Sequence, residues 1–277
     1  RSGEAGVGGW WWVAEHEDED SMMRGLSFVS FVGEGLVRYA SSQRLQERLA
    51  RHVKLGALPS LVLALEHKPV ITLGKRGTER DLLEDRKDIL RRGVDVEVST
   101  RGGEVTFHGP GQVVMYPIIS LRDWKIGARK YVESLEDAII GTLRSYGIEG
   151  RGRVPGATGV WVEDRKIAAI GVRISQGIST HGLALNVDPD LSSFSSIIPC
   201  GLKDKEVTSM RKEMQLDRAC DSSSTTSLAS STPPAPTVSD VQDHLFRNLS
   251  ALLGAKEPLT LTERELDLFI QARSECE

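Results

Sequence analysis

Apolar positions recur along this chain with two different periods. In the segment 36–55, Leu45, Leu49 and Val53 fall at i, i+4 and i+8, the one-sided spacing of an amphipathic helix. In 128–146, Val132, Leu135, Ile139, Leu143 and Tyr146 recur at spacings of three and four, and Gly147 supplies a stop. Asp85 to Arg92 reads as a short helix ended at Gly93, and Val241 to Leu253, carrying Leu245, Leu249, Leu252 and Leu253, as another. Glu263 to Arg273 is a further helical candidate. The other period is two: Val94, Val96 and Val98 alternate with charged residues, as on a half-buried strand. Segments 26–32, 61–65, 159–163, 166–174 and 181–187 also read as strands. This order predicts an α/β (α+β) fold, a mixed sheet flanked by helices, and argues against repeated βαβ units.

Two segments lack such periodicity. Residues 1–25 combine glycine, the triplet Trp10, Trp11 and Trp12 and an acidic run from Glu15 to Asp20. We read them as a disordered extension; transit peptides are Arg-rich and acid-poor, the reverse of this stretch. Residues 221–237 are Ser, Thr, Ala and Pro with one large apolar side chain, Leu228, too little to offset the entropy of ordering. They read as a flexible insertion in a single domain spanning 26–277.

Composition narrows the function classes. With 35 Lys+Arg against 39 Asp+Glu the chain has a net charge of -4, a poor basis for an electrostatic nucleic-acid binder. The longest aliphatic run, Leu61 to Leu65, is far short of the ~18–20 residues that span a bilayer. Cys200, Cys220 and Cys276 are widely spaced, which argues against a disulfide framework or a structural zinc site.

Four segments could carry chemistry. Arg101 to Gln112 reads R-G-G-E-V-T-F-H-G-P-G-Q: glycines that let backbone amides approach a ligand, among the polar groups of Arg101, Thr106, His108 and Gln112. It holds neither a G-K-[ST] nor a G-x-G-x-x-G phosphate loop. In Arg165 to Ile174, strand alternation puts Lys166 on a face with Ala168, Ile170 and Val172. A lysine there either snorkels out at the strand end or holds an ammonium at the rim of an apolar pocket. In His181 to Val187, alternation groups His181 with Leu183 and Leu185, and Gly182 with Ala184 and Asn186. The small-residue face suits a ligand and tight packing equally. Cys200 sits between Pro199 and Gly201, a turn that would expose a nucleophilic sulfur, although free cysteines are most often inert and buried.

Taken together and in order, these segments resemble the lipoyl(octanoyl) transferase family, the octanoyl-carrier-protein:protein N-octanoyltransferases. The match begins at L-V-L-A-L-E-H-K-P-V-I-T-L-G (61–74). It continues through R-G-G-E-V-T-F-H-G-P-G-Q, T-G-V-W-V, R-K-I-A-A-I-G-V-R-I and H-G-L-A-L-N-V to I-P-C-G-L-K-D-K-E-V-T-S, within roughly residues 26–218. The resemblance implies the fold shared by biotin and lipoate protein ligases. It implies octanoyl transfer from octanoyl-acyl carrier protein to a specific lysine of lipoyl domains, the first step of protein lipoylation, with no cofactor and no metal. The acceptors it implies are the lipoyl domains of 2-oxoacid dehydrogenase complexes and the glycine cleavage H protein. In eukaryotes the family acts in mitochondria, and otherwise the compartment is cytoplasmic. Carried over by position, Cys200 is the nucleophile that forms an acyl-thioester and Lys166 its activating partner. Arg101, Gly102, Gly103, Glu104, Val105, Thr106, Phe107 and His108 wall the acyl site with Ala169, Ile170, Gly171, Gly182, Leu183 and Ala184. Lys68, the 221–237 segment and the N-terminal extension depart from the family pattern without touching that chemistry.

The energetics agree with this implication. Thioester exchange onto a cysteine is nearly isoenergetic, and aminolysis to an amide runs downhill without ATP. Each step passes an oxyanion, for which backbone N–H groups near Cys200 or His181 are the expected donors. Chain-length choice should rest on pocket depth, at ~0.8 kcal/mol per methylene. The rival readings are an ATP-dependent lipoate or biotin ligase, a thioesterase, and a non-catalytic module that binds the acyl carrier.

Overall fold

The computed structural model describes residues 25–198, 206–221, 236–255 and 263–274. Cys200, nearly all of the 1–25 extension and residues 222–235 of the expected insertion lie outside them.

Six strands make the main sheet in the order β1 (Leu26–Ser30), β2 (Ser60–Leu65), β6 (Gln112–Ile118), β9 (Ile178–Asn186), β8 (Arg165–Ser175) and β7 (Gly159–Val162). β1 runs parallel to β2 and the other pairs are antiparallel, so the sheet is mixed as expected. A three-stranded sheet lies beside it: β4 (Asp95–Val98), β3 (Val70–Leu73) and β5 (Val105–His108).

Periodicity found the helices: α1 (Tyr39–Lys54), α2 (Arg86–Arg91, with the Asp85 side chain capping Lys87 N–H), α3 (Ala128–Arg144), α5 (Val238–Leu253) and α6 (Glu263–Ser274). It did not find α4 (Met210–Asp221), whose sequence is mostly polar, nor β3, β5 and β6. Pro117 in β6 argues against a central strand, yet it sits opposite Val62, beyond Met115, the last β6 residue paired with β9. Of the alternating valines, Val96 is buried, whereas Val98, at the outer end of an edge strand, is 71% exposed.

Each face of the main sheet has its own core. One packs Val113, Met115, Ile167, Ala168, Ile170, Leu183 and Leu185 against Tyr131, Leu135 and Ile139 of α3 and Val241, Leu245 and Leu249 of α5. The other packs Leu61, Leu63, Leu65, Val114, Tyr116 and Ile118 against Leu45, Leu49 and Val53 of α1. The small sheet forms a third core around Ile71, Val105, Phe107, Ile89 and Phe194. Among the described residues, no helix is long and apolar enough to cross a membrane.

Candidate active site

A cavity of about 230 Å³ opens between β5 with the loop preceding it and the middle of β8 and β9. Thirteen of the fourteen residues expected in the acyl wall line it: Arg101 to Thr106, His108, Ala169, Ile170, Gly171, Gly182, Leu183 and Ala184. Phe107 does not. Its neighbours Thr106 and His108 face the cavity, and strand alternation sends Phe107 into the small-sheet core, edge-on to Phe194 at 5.4 Å.

Lys166 also lines the cavity, but not for the reason simple alternation suggests. The β7–β8 register slips by one residue: Val160 pairs with Ala168, and Trp161 with Lys166. This bulge leaves Ile167 and Ala168 both in the α3–α5 core, while Lys166 lines the cavity with Ala169 and Gly171. Lys166 is 7% exposed; its Nζ donates to Thr158 O at 3.0 Å and lies 5.3 Å from the Trp161 ring centroid. It does not snorkel. Gly159, at φ +132°, makes room, because a Cβ there would meet Lys166 Cε at 2.8 Å and Ala168 O at 2.5 Å.

Alternation fails a second time at His181. Its φ of +57° is left-handed, and its ring meets Tyr116 edge-on, centroids 6.1 Å apart, instead of joining Leu183 in the α3–α5 core. Its backbone N–H donates to Gln46 Oε1 at 2.6 Å, so this amide is engaged within the fold. Next to it, Gly182 answers the question left open by its small-residue face. A Cβ there would lie 2.2 Å from Met115 O, so the chain's own backbone demands the glycine, while the same residue lines the cavity.

Several residues in and behind the cavity were not singled out from the sequence as site residues. Tyr39 and Tyr116 line it, and His67 stands behind them, its Nε2 2.7 Å from Tyr116 OH and its Nδ1 2.9 Å from Val37 O. Carbonyl O can only accept, so His67 Nδ1 carries the hydrogen and Nε2 accepts from the tyrosine. Burial holds these imidazoles neutral: His67 and His181 are each lowered to about 4, and His108 well below its usual value. At His108, burial acts first, then the repulsion that a second proton would meet if His67 were also charged, then the positive field of Arg101. Burial pushes Tyr116 well up, so it stays a phenol. The Arg101 guanidinium, 8% exposed, donates from Nη2 to Thr72 O at 2.8 Å and Thr72 Oγ1 at 2.7 Å; much of its fork braces the loop onto β3. The cavity thus combines apolar and small residues with neutral aromatic polar groups, the buried side chains of Lys166 and Arg101, and Glu104. That combination suits an acyl chain with a polar head.

The lipoyl protein ligase A/B catalytic domain family matches residues 38–250. The chain is 51% identical over 179 residues to the mitochondrial octanoyltransferase of Arabidopsis thaliana, covering 65% of this chain and 76% of that protein. It is 53% identical over 176 residues to the octanoyltransferase of Solibacter usitatus, covering 64% and 79%. With that of Chloroflexus aggregans the identity is 42%, over 80% of this chain and 93% of the relative. The chain belongs to the octanoyltransferase family. It is an enzyme of the acyltransferase class. Octanoyltransferases share their fold with lipoate ligases, and the structure agrees. A lipoate-protein ligase A bound with ATP superposes with a TM-score of 0.66 at 15% identity, covering 91% of this chain and 94% of the ligase. A bi-partite lipoate protein ligase from Thermoplasma acidophilum gives 0.58 at 16%, covering 91% and 93%. At such identity the likeness speaks for the fold alone.

Proposed function

We propose that this chain transfers an octanoyl group from octanoyl-acyl carrier protein to a lysine of lipoyl domains, through a thioester on Cys200. The acceptors in this reading are the lipoyl domains of 2-oxoacid dehydrogenase complexes and the glycine cleavage H protein. The observation that carries it is the cavity: the glycine-rich loop before β5 and the small residues of β8 and β9 converge on one pocket with Lys166 in its wall. The acyl chain would occupy the pocket. An ammonium near the sulfur favours the thiolate, which attacks the donor thioester and releases the carrier thiol. The acceptor amine then attacks the enzyme thioester, giving the amide and returning the thiol. Lys166 would manage protons for the departing thiol and the incoming amine. The mitochondrial relative in Arabidopsis thaliana supports the mitochondrion as the compartment.

Cys200→Ser decides the reading. Transfer from octanoyl-carrier protein should vanish with the fold retained, and wild-type transfer should need no ATP. Full activity in the variant, or a strict requirement for ATP and free octanoate, would replace it with the ligase reading.

A further inference from the structure

A line of buried side-chain hydrogen bonds runs from the cavity to the chain that follows residue 205. His108 Nδ1 lies 3.2 Å from Gln112 Oε1. Gln112 Nε2 donates to Phe107 O at 3.2 Å and to Asn186 Oδ1 at 2.9 Å. Asn186 Nδ2 donates to Thr208 O at 2.9 Å. Thr208 N–H in turn donates to Lys166 O at 2.9 Å, and Lys166 N–H to Glu206 O at 2.8 Å. Thr208 Oγ1 bonds Glu213, which holds Arg165 through two bonds of 2.9 and 3.0 Å. His108, Gln112, Asn186, Thr208 and Glu213 are all no more than 6% exposed.

The direction of every bond in this line is forced. Phe107 O and Thr208 O are carbonyls and can only accept, so each amide nitrogen must face its carbonyl. Gln112 then turns Oε1 toward His108, and that oxygen can bond only a protonated Nδ1. The imidazole is neutral, so Nε2 carries a lone pair, and the ring lines the cavity. The groups around the ring are Tyr39, stacked at 6.1 Å, His67 at 5.7 Å, Arg101 and His181. None is a carboxylate that would draw a second proton onto it.

We propose that Gln112 and Asn186 are a positioning pair that locks His108 as its Nδ1–H tautomer, a hydrogen-bond acceptor on the cavity wall, and pins residues 206–208 along Lys166. On the octanoyl-transfer reading, the Nε2 lone pair receives an N–H of the acceptor amine as it lines up on the thioester. The same two amides keep the strand end that carries Lys166 in register with the cavity. One unit thereby sets both the acceptor and the ammonium.

Histidine side-chain nitrogen NMR, with His108 assigned from the His108→Gln spectrum, reads the tautomer without any substrate. The wild type should show Nδ1 protonated and Nε2 bare, unchanged between about pH 6 and pH 8. Gln112→Glu puts a carboxylate on Nδ1 and should give a protonated ring at neutral pH. Its kcat should fall ~100-fold, recovering as pH rises, with KM for the donor largely retained. Asn186→Leu should mix the two tautomers and raise amide exchange at residues 206–208. An Nε2–H tautomer in the wild type overturns the proposal whether or not the variants fold. Unchanged tautomer and unchanged kcat in both variants also overturn it. The NMR arms stand even if octanoyl transfer is not the reaction.

Discussion

The two faces of the main sheet are built on different principles. Toward α3 and α5 the buried side chains are mostly apolar: Ser134 and Thr142 donate within their own helix, to Lys130 O and Ala138 O, and the larger polar exceptions are Glu136, which accepts from Arg153 N–H, and Gln242, which accepts from Ser30. Between the main sheet, α1 and the small sheet lie Tyr39, His67, Arg101, Tyr116 and His181, tied to partners far away in sequence, and His108, held by Gln112. Buried polar groups cost stability unless each finds a partner. The first face therefore holds the molecule together, whereas the second spends some of that stability on a defined cavity. His181 Nδ1 and Gln46 Nε2, buried with no hydrogen-bond partner, mark where that cost is paid.

If the faces divide labour in this way, a change on one should leave the property of the other alone. The largest effect is expected at Lys166. Lys166→Met should slow octanoyl transfer by ~10²–10⁴-fold, the range for a proton-managing group, while the thermal midpoint barely moves. Lys166→Arg should keep the charge without restoring the rate, because guanidinium does not deprotonate in this range. Iodoacetamide alkylation of Cys200 against pH checks the pairing: Lys166→Met should shift the profile upward. Superimposable profiles would reduce Lys166 to a packing residue.

Leu135, fully buried in α3, is the opposite case. Leu135→Ala should cost about 2–5 kcal/mol in denaturant unfolding, with kcat of the folded fraction unchanged. A lost kcat without lost stability would mean that the α3 face also shapes the site.

Smaller again is the pH response of the buried imidazoles. Each of His67 and His181 sits near 4 when folded against 6.5 when unfolded, so the unfolded chain binds more protons between those values. Stability should be complete above about pH 6.5 and fall as pH drops toward 4, by up to ~3 kcal/mol per group. His67→Gln should flatten part of that slope. A stability that stayed level from pH 6.5 to 4 would show that these rings are charged in the folded protein.

The same division decided what could be read from the chain. The α3 and α5 stripes were legible because a face buried against one apolar layer needs a strict period, and β2 because burial on both faces leaves a continuous apolar run. Lys166 and His181 were singled out, but a one-residue bulge at Val160/Trp161 parts Lys166 from Ala168, and a left-handed backbone at His181 turns its ring onto Tyr116, neither with a composition signal. Tyr39 and Tyr116 were missed because each occupies an inward position of its own element, and His67 because it lies in the β2–β3 connection, between Glu66 and Lys68. Only the fold brings their polar atoms together. Of the fourteen residues that the resemblance put in the acyl wall, thirteen line one cavity; the exception is Phe107, whose place in a continuous motif hid that its side chain points away.

The central claim is that octanoyl passes through this chain itself. Intact mass after incubation with octanoyl-acyl carrier protein, followed by peptide mapping and a chase with a lipoyl domain, tests it most directly. We expect one octanoyl group on Cys200, formed without ATP and discharged to a single lysine of the domain. Octanoyl on Cys220 or Cys276, or a modified domain with no acylated enzyme ever detected, would contradict the account.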